Sequence, residues 1–326
     1  MEPDVSQEED ASGAKIPVGV SSCLLGDQVR YDGGHKRHSY ITGTLGKYFE
    51  FRPFCPEVEI GLGIPRKPIR LVRAERGEIR CVQIDDPSID HTQALRESVG
   101  RRRDRVAGLC GYILKKDSPS CGMERVRVWR GDTPARDGSG IFADALMREF
   151  PWLPVEEEGR LGDSVLRENF IQRVFVLRRW FALLEAGLSA ASLTRFHARH
   201  KLIVMSHDQT QYLALGRLLA DAGKSDLEQV AGEYLRGLMA VLKITATRGR
   251  HVNVLQHIMG YLKKNLAADD RQELVRTIED YRLGLVPLIV PITLLNHFFR
   301  KHPHPYIAES WYMKPYPAEL ILRNQL

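Results

Sequence analysis

The sequence is poor in cysteine and has no long apolar run. Five cysteines stand among 326 residues, and no two of them form a C-x-x-C pair. Close pairs are typical of structural zinc sites, so their absence argues against one. No run of about 18 apolar residues is present, which argues against a membrane span. The first residues also lack the basic start and apolar run of a secretory signal, so we expect a cytoplasmic protein whose cysteines stay reduced unless they bind metal.

The chain divides into three segments. Residues 1–14 are acidic and rich in small residues, which predicts a disordered tail. Strand and helix signals alternate over 15–158, and this alternation predicts an α/β domain with a Rossmann-like parallel sheet. Residues 159–326 show helical spacing and no convincing strand, which predicts an all-α domain. Prolines, Gly159 and an acidic run at 151–162 interrupt both patterns and mark the boundary.

Particular elements follow from periodicity and turn signals. Strands are predicted at 16–20, 49–54 and 109–114, with a hairpin formed by 69–72 and 78–84. A polar amphipathic helix is predicted at 88–106. In the second domain, breaks at Asp, Ser and Gly residues separate helices predicted at about 163–186, 189–204, 208–222, 226–246, 250–267, 269–283 and 287–301.

Charge is distributed unevenly between the two predicted domains. Residues 160–326 carry 23 Lys and Arg against 15 Asp and Glu, whereas the rest of the chain is slightly acidic. All five cysteines lie in the first half, and eight of the eleven histidines lie in the second. A basic module beside a module with soft metal ligands suggests a polyanionic partner such as RNA. A mildly basic solvated surface explains the same charge equally well.

Three cysteines share one sequence context. Cys23 and Cys55 each directly follow a predicted strand, and Cys121 lies in the loop after a third. The carboxyl ends of parallel strands meet at one sheet edge, where ligands usually bind. Thiolates suit zinc or iron–sulfur clusters, and three widely spaced ligands fit a cubane cluster with one open iron. Three buried, inert thiols are the alternative, and Cys81 and Cys110 are predicted to be core thiols of that kind.

Two polar residues near these cysteines are candidates for catalysis. Glu57 lies two residues after Cys55, and Ser118 lies three residues before Cys121. A carboxylate beside a metal cluster can act as a general acid or base, and a serine can act as a nucleophile or orient a substrate. Loop capping is the structural alternative for both.

The motifs around these residues resemble the thiouracil desulfidase family. They read Ser-Ser-Cys-Leu-Leu-Gly at 21–26, Arg-Tyr-Asp-Gly at 30–33, Cys-Pro-Glu at 55–57 and Ser-Pro-Ser-Cys-Gly at 118–122. The second half is similar to the helical domain fused to desulfidases that act on 4-thiouridine in tRNA. The segments that carry this second resemblance are 196–201, 248–261 and the Pro-rich end.

The resemblance implies a [4Fe–4S] cluster held by Cys23, Cys55 and Cys121. It implies Glu57 as the catalytic acid/base and Ser118 as the catalytic serine. The implied activity is non-redox desulfuration, in which sulfur leaves as hydrogen sulfide and water supplies the replacing oxygen. One departure from the family is the Gly-Leu-Gly at 61–63, which bears on whether the substrate is a free base or RNA.

Thiolated tRNA is the expected partner of the helical domain. Its backbone contacts are predicted at Arg199, Lys201, Arg248, Arg250 and His251. Alternatives are a desulfidase of free thiouracil or thionucleosides, a non-catalytic metal-stabilised RNA-binding protein, and a tRNA thiolase. The thiolase is disfavoured because no convincing ATP-binding glycine-rich loop is present.

Overall fold

The computed structural model describes residues 14–75, 77–220 and 226–324. It contains two compact units, Ala14–Asp163 and Ser164–Leu326. The predicted tail lies outside the described residues, apart from Ala14. Among the described residues, no helix is long and apolar enough to cross a membrane.

The first unit contains all the strands of the described chain. In chain order they are β1 (Ile16–Ser21), β2 (Phe49–Phe54), β3 (Ile69–Arg73), β4 (Ile79–Gln83), β5 (Gly111–Leu114), β6 (Val126–Arg130), β7 (Thr133–Gly138) and β8 (Val155–Glu157). The helices of this unit are α1 (Pro56–Glu59), α2 (Thr92–Gly100), α3 (Arg103–Ala107) and α4 (Ile141–Glu149).

A four-stranded parallel sheet forms the centre of this unit, in the order β2-β1-β5-β8. Both faces of β1 are buried, with Val18 and Val20 fully enclosed, as expected for a strand of a parallel sheet. Gly19 leaves room for the ring of Tyr112, because a Cβ there would lie 2.4 Å from that ring. The predicted parallel α/β architecture is therefore confirmed.

A second sheet, in the order β4-β3-β6-β7, consists of two hairpins joined by parallel pairing of β3 with β6. Its core contains Leu71, Leu95, Val128 and Cys81, all buried. Cys110 is also fully buried, so both cysteines that were predicted to be core thiols lie in the interior.

The described residues of the second unit form helices joined by turns and contain no strand, as predicted. Its helices are α5 (Ser164–Ala186), α6 (Ala190–His207), α7 (Gln209–Ala220), α8 (Leu227–Lys243), α9 (Arg248–Gly260), α10 (Ala268–Leu283), α11 (Ile289–Lys301) and α12 (Pro305–Ala308). Aromatic rings fill its core, where Trp180 stacks on Tyr234 and meets Phe196 edge to face. The last two residues of the helix predicted at 208–222 lie outside the described residues.

Two sequence predictions differ from the structure. The helix predicted at 88–106 is broken at Arg101–Arg102 into α2 and α3. Strand β8 lies in the predicted boundary segment 151–162, where the acidic run indicated a break. Its carboxylates are tolerated inside because they are paired: Glu156 accepts from Arg160 Nε at 2.6 Å, and Glu157 accepts from the Met123 N–H at 2.7 Å.

Gly140 is required by close backbone packing. A Cβ at this position would lie 2.5 Å from the backbone of Ser120 and 2.8 Å from the nitrogen of Cys121. We expect Gly140→Ala to destabilise the first unit by about 1–3 kcal/mol, because backbone atoms cannot move aside as a flexible side chain can. The measurement is the thermal unfolding midpoint followed by circular dichroism.

Gly108 provides the matched control. No atom lies within 4 Å of a Cβ built there, and its φ of −87° suits any residue. Gly108→Ala should leave the midpoint almost unchanged. Equal midpoints for the two variants would contradict the packing argument.

Candidate active site

Three cysteines follow the carboxyl ends of neighbouring parallel strands. β1 pairs with β2 so that Ser21 lies beside Phe54, and it pairs with β5 on its other side. Cys23 lies in a 3₁₀ turn just after β1, and Cys55 precedes α1 just after β2. Cys121 lies in the loop between β5 and β6. The sheet therefore brings together residues that are 32 and 66 positions apart in the sequence.

The three cysteines line one cavity of about 420 Å³. Cys23 and Cys121 are buried and Cys55 is half-buried. Cys81 and Cys110 do not line this cavity. Its other polar lining residues are Ser21, Ser22, Arg30, Tyr31, Lys36, Glu57, Arg66, Lys115, Lys116, Asp117, Ser118 and Ser120.

Burial holds the three thiols in their protonated form. It raises the pKa of Cys23 to about 11, and the nearby Cys55 adds to this shift. Burial also raises the pKa of Cys55 and, most strongly, that of Cys121, to which Cys55 again contributes. A bound metal centre would reverse these shifts, because a coordinating thiol loses its proton.

The donor set fits an iron–sulfur cluster better than a single ion. In the described part of the chain, no group of three or more His, Cys, Asp and Glu side chains could hold one metal ion. The three thiols instead line one larger cavity, and thiolates are the usual ligands of iron–sulfur clusters. The three cysteines would hold the cluster, and the lining of this cavity contains no fourth cysteine.

Glu57 is held in place from two sides. Its Oε2 accepts from Arg66 Nε at 2.9 Å and Nη2 at 2.7 Å, and both side chains are largely buried. Its Oε1 accepts from Ser120 Oγ at 2.6 Å. Arg66 is itself fixed, because its Nη1 donates to the carbonyl of Val29 at 2.9 Å. The carboxylate therefore has a defined position beside Cys55.

Ser118 is connected to Glu57 through Ser120. The two serine hydroxyls lie 2.9 Å apart, and Ser118 Oγ also accepts from the N–H of Cys121 at 3.1 Å. The proton of Ser120 points at the Glu57 carboxylate, so Ser118 must donate to Ser120. The direction of donation is thus Ser118 to Ser120 to Glu57. The structure brings both candidate catalytic residues into one hydrogen-bonded chain.

Sequence reasoning missed Arg66, Ser120 and Glu158 at this site. Glu158 pairs with Lys115 Nζ and accepts from the backbone N–H of Lys116 at 2.7 Å, and so braces the loop that leads to Ser118. Ser120 belongs to the Ser-Pro-Ser-Cys-Gly motif, but the sequence around it gave no reason to assign it a role in addition to that of Ser118. No local pattern marks Arg66, which meets Glu57 only through the fold.

The predicted RNA-contacting residues have different environments in the helical unit. Lys201 lies between the rings of Tyr212 and Tyr306, and Arg199 lies over Trp311. Arg248 is exposed, and Arg250 lies 3.7 Å from Asp208. His251 is only 8% exposed, and its Nδ1 lies 2.9 Å from Tyr312 Oη. Its ring therefore packs in the interior of the unit.

Comparison with known proteins finds matches in both units. Residues 18–158 match the model of the family described as 2-thiouracil desulfurase. Residues 201–317 match the model of DUF1722, described as a protein of unknown function.

Individual relatives match over nearly their whole length. The uncharacterized protein YbgA of Escherichia coli (strain K12) is 30% identical over 166 residues, 51% of this chain and 95% of YbgA. The uncharacterized protein YbbK of Bacillus subtilis (strain 168) is 25% identical over 143 residues, 42% of this chain and 93% of YbbK. The solved structure of the [4Fe-4S]-dependent thiouracil desulfidase TudS is 30% identical and covers 46% of this chain and 95% of TudS, with a TM-score of 0.37.

Fold, cavity and family match together define a desulfidase-type α/β domain joined to a DUF1722 domain. The chain belongs to the same family as YbgA, and its residues 18–158 form a 2-thiouracil desulfurase domain.

Removing Arg66 should strongly destabilise the site. Arg66→Met leaves the Glu57 carboxylate buried without its cation, and breaking such a pair costs about 3–5 kcal/mol. The double variant Arg66→Met/Glu57→Gln should recover part of that loss, because no charge then remains unpaired. Urea unfolding of the three proteins measures the difference.

The control is Arg52→Met, which removes an exposed arginine paired with Glu50 at 2.9 Å. Exposed ion pairs contribute about 0–1 kcal/mol, so this variant should unfold close to the parent. An Arg66→Met protein as stable as Arg52→Met would show that the buried pair does not support the site.

Proposed function

We propose that this protein is a non-redox, iron–sulfur-dependent desulfidase that converts 4-thiouridine in tRNA to uridine with release of hydrogen sulfide. The observation that carries the proposal is the cavity lined by three thiols beside the Glu57–Ser120–Ser118 chain. The family match of residues 18–158 supports the desulfidase reaction. The proposed cofactor is a [4Fe–4S] cluster on Cys23, Cys55 and Cys121, the cofactor for which TudS is named.

The overall reaction balances without an oxidant or a reductant. A thiocarbonyl and one water give a carbonyl and hydrogen sulfide, so the water oxygen replaces sulfur on carbon and both water protons leave with the sulfide. When bound, the cluster would supply a soft Lewis acid, which would prefer the thiocarbonyl sulfur over the oxygen of ordinary uridine.

The residues of the chain move the protons. In the proposed mechanism, Glu57 accepts a proton that is passed from Ser118 Oγ through Ser120 Oγ. A water hydrogen-bonded to Ser118 passes its own proton to the serine and thereby becomes the stronger nucleophile, so the new C–O bond is made to water. Arg66 keeps the Glu57 carboxylate oriented and is a positioning residue. As the C–S bond breaks, Glu57 returns this proton to the departing sulfide, and the second water proton follows when the carbonyl forms.

The helical unit supports RNA rather than a free base as substrate. Arg199 lines a cavity of about 450 Å³ together with Arg300, Lys314 and the indole of Trp311. Cations beside an aromatic ring suit a nucleic-acid strand, because phosphates pair with the cations and bases stack on rings. We propose Arg199, Lys201, Arg248 and Arg250 as RNA contacts. His251 is left out of this set because its ring is buried.

Free thiouracil remains the second candidate substrate, since the family matched by the first unit is described by that base. One experiment distinguishes the two substrates. Cluster-loaded protein is incubated anaerobically with 4-thiouridine-containing tRNA and, separately, with 4-thiouracil. Loss of thiocarbonyl absorbance with sulfide release on tRNA supports the proposal. Turnover of the free base alone would overturn the RNA substrate, and no turnover on either with the cluster intact would overturn the reaction.

Cysteine variants test the cofactor independently of turnover. Cys23→Ala, Cys55→Ala and Cys121→Ala should each lose the visible absorbance of the anaerobically purified protein, because each removes one ligand. Cys81→Ala and Cys110→Ala are the controls and should keep it, since neither residue lines the cavity. Full cluster absorbance in any of the first three would remove that residue from the ligand set.

Ser120→Ala tests the proton path. The variant breaks the connection between Ser118 and Glu57, and we expect kcat to fall by about 100-fold, within the usual range for general acid–base groups. KM and cluster absorbance should stay unchanged, which separates proton transfer from a structural role. A variant with parental kcat would show that the path through Ser120 is not used.

A further inference from the structure

A second polar cavity lies within the helical unit, separate from the three-cysteine cavity. Its volume is about 190 Å³, large enough for a phosphate group and the first atoms of an ester. Ser164, Glu168, Arg248 and Arg323 are among its lining residues. Nothing in the proposed desulfidase chemistry uses this cavity.

Three helices begin at the wall of this cavity. Ser164 is the first residue of α5, Arg248 is the first residue of α9, and Leu288 directly precedes α11. These helices contain 23, 13 and 13 residues, so each presents the positive end of a developed macrodipole. Helix starts alone are common, but three that meet at one cavity favour an anion there.

Arg323 supplies an independent indication of a ligand. Its side chain is only 5% exposed, and it lines the cavity. Its Nε lies 3.2 Å from Glu168 Oε1, and its Nη1 donates to the carbonyl of Tyr312 at 2.7 Å. Its Nη2 is buried and has no hydrogen-bond partner. A buried charged donor without a partner is costly, and an oxygen of a bound anion would satisfy it.

The remaining polar groups leave the cavity positive. Glu168 is engaged by Arg323 and by Tyr316 Oη at 2.6 Å. His207 uses both ring nitrogens, one toward Gln172 and one toward the carbonyl of Ile244. The lining therefore contains two guanidinium groups, those of Arg323 and Arg248, and one carboxylate, and the helix ends add further positive potential.

We propose that this cavity binds a phosphate group. The positive ends of three helices and two arginines at one cavity suit an oxyanion with several oxygens, whereas a planar carboxylate would use only part of them. The phosphate can belong to a small molecule or to an RNA. The proposal does not rest on the desulfidase reaction, because no residue of the first unit enters the argument, although Arg248 is also one of the proposed RNA contacts.

The test is equilibrium dialysis of the full-length protein with radiolabelled inorganic phosphate at constant ionic strength. We expect saturable binding of about one phosphate per chain. Two substitutions should each weaken binding at least about tenfold, the effect of losing a charge-assisted contact. They are Arg248→Gln, on the cavity rim, and Arg323→Lys, which keeps the charge but loses the fork of donors. Arg276→Gln, at an exposed position of α10, is the matched control and should bind like the parent.

Circular dichroism checks that each variant is folded, and Arg248→Gln decides the question if Arg323→Lys does not fold. Absence of saturable binding, or equal binding by the parent and Arg248→Gln, overturns the proposal.

A competition experiment with tRNA identifies the source of the phosphate. Displacement of labelled phosphate by tRNA assigns the site to an RNA phosphate, and its retention under saturating tRNA assigns it to a small phosphate compound.

Discussion

The parallel pairing of β1 with β2 on one side and β5 on the other is the constraint on which the candidate active site depends. Parallel strands end at the same edge, so the loops after all three strands must share that edge. A shift of β1 by one residue would exchange the side chains on its two buried faces and would move Cys23 relative to the loops of Cys55 and Cys121. The buried residues of β1 therefore serve the site as well as the core.

Buried carboxylates are the cost of this arrangement, and each one has a partner. Glu57 has Arg66 and Ser120, Glu156 has Arg160, and Glu158 has Lys115. Burial still raises the pKa of Glu157, although backbone N–H groups oppose the shift. Three of these acids follow or form β8, so the strand that closes the sheet also braces the loop of Ser118. Stability and site geometry thus depend on the same ion pairs.

The sequence predicted the parts of the structure that local pattern controls. Strand periodicity located β1, β2 and β5 to within about two residues, and the loops after them identified the cysteines. It failed at β8, because an acidic run predicts a break unless its partners are known. It also failed at Arg66, which is nine residues from Glu57 in sequence but has no periodic or motif relation to it. Tertiary pairing of charges leaves no local signal.

The net charge of the helical unit does not show which of its cations can bind RNA, because some are buried and others are exposed. Arg179 lies 3.7 Å from the ring centre of Trp311, and Arg323 lies over the rings of Tyr312 and Tyr316, so both are interior groups held by aromatic faces and hydrogen bonds. Exposed residues such as Arg300 and Lys314 have water on at least one side.

Only the exposed cations can neutralise RNA phosphates at the surface. A buried cation can bind an anion only where it lines a cavity, as Arg323 does. The excess of basic residues therefore divides into a surface set that suits a polyanion and a buried set, of which Arg323 lines the cavity proposed for a single phosphate.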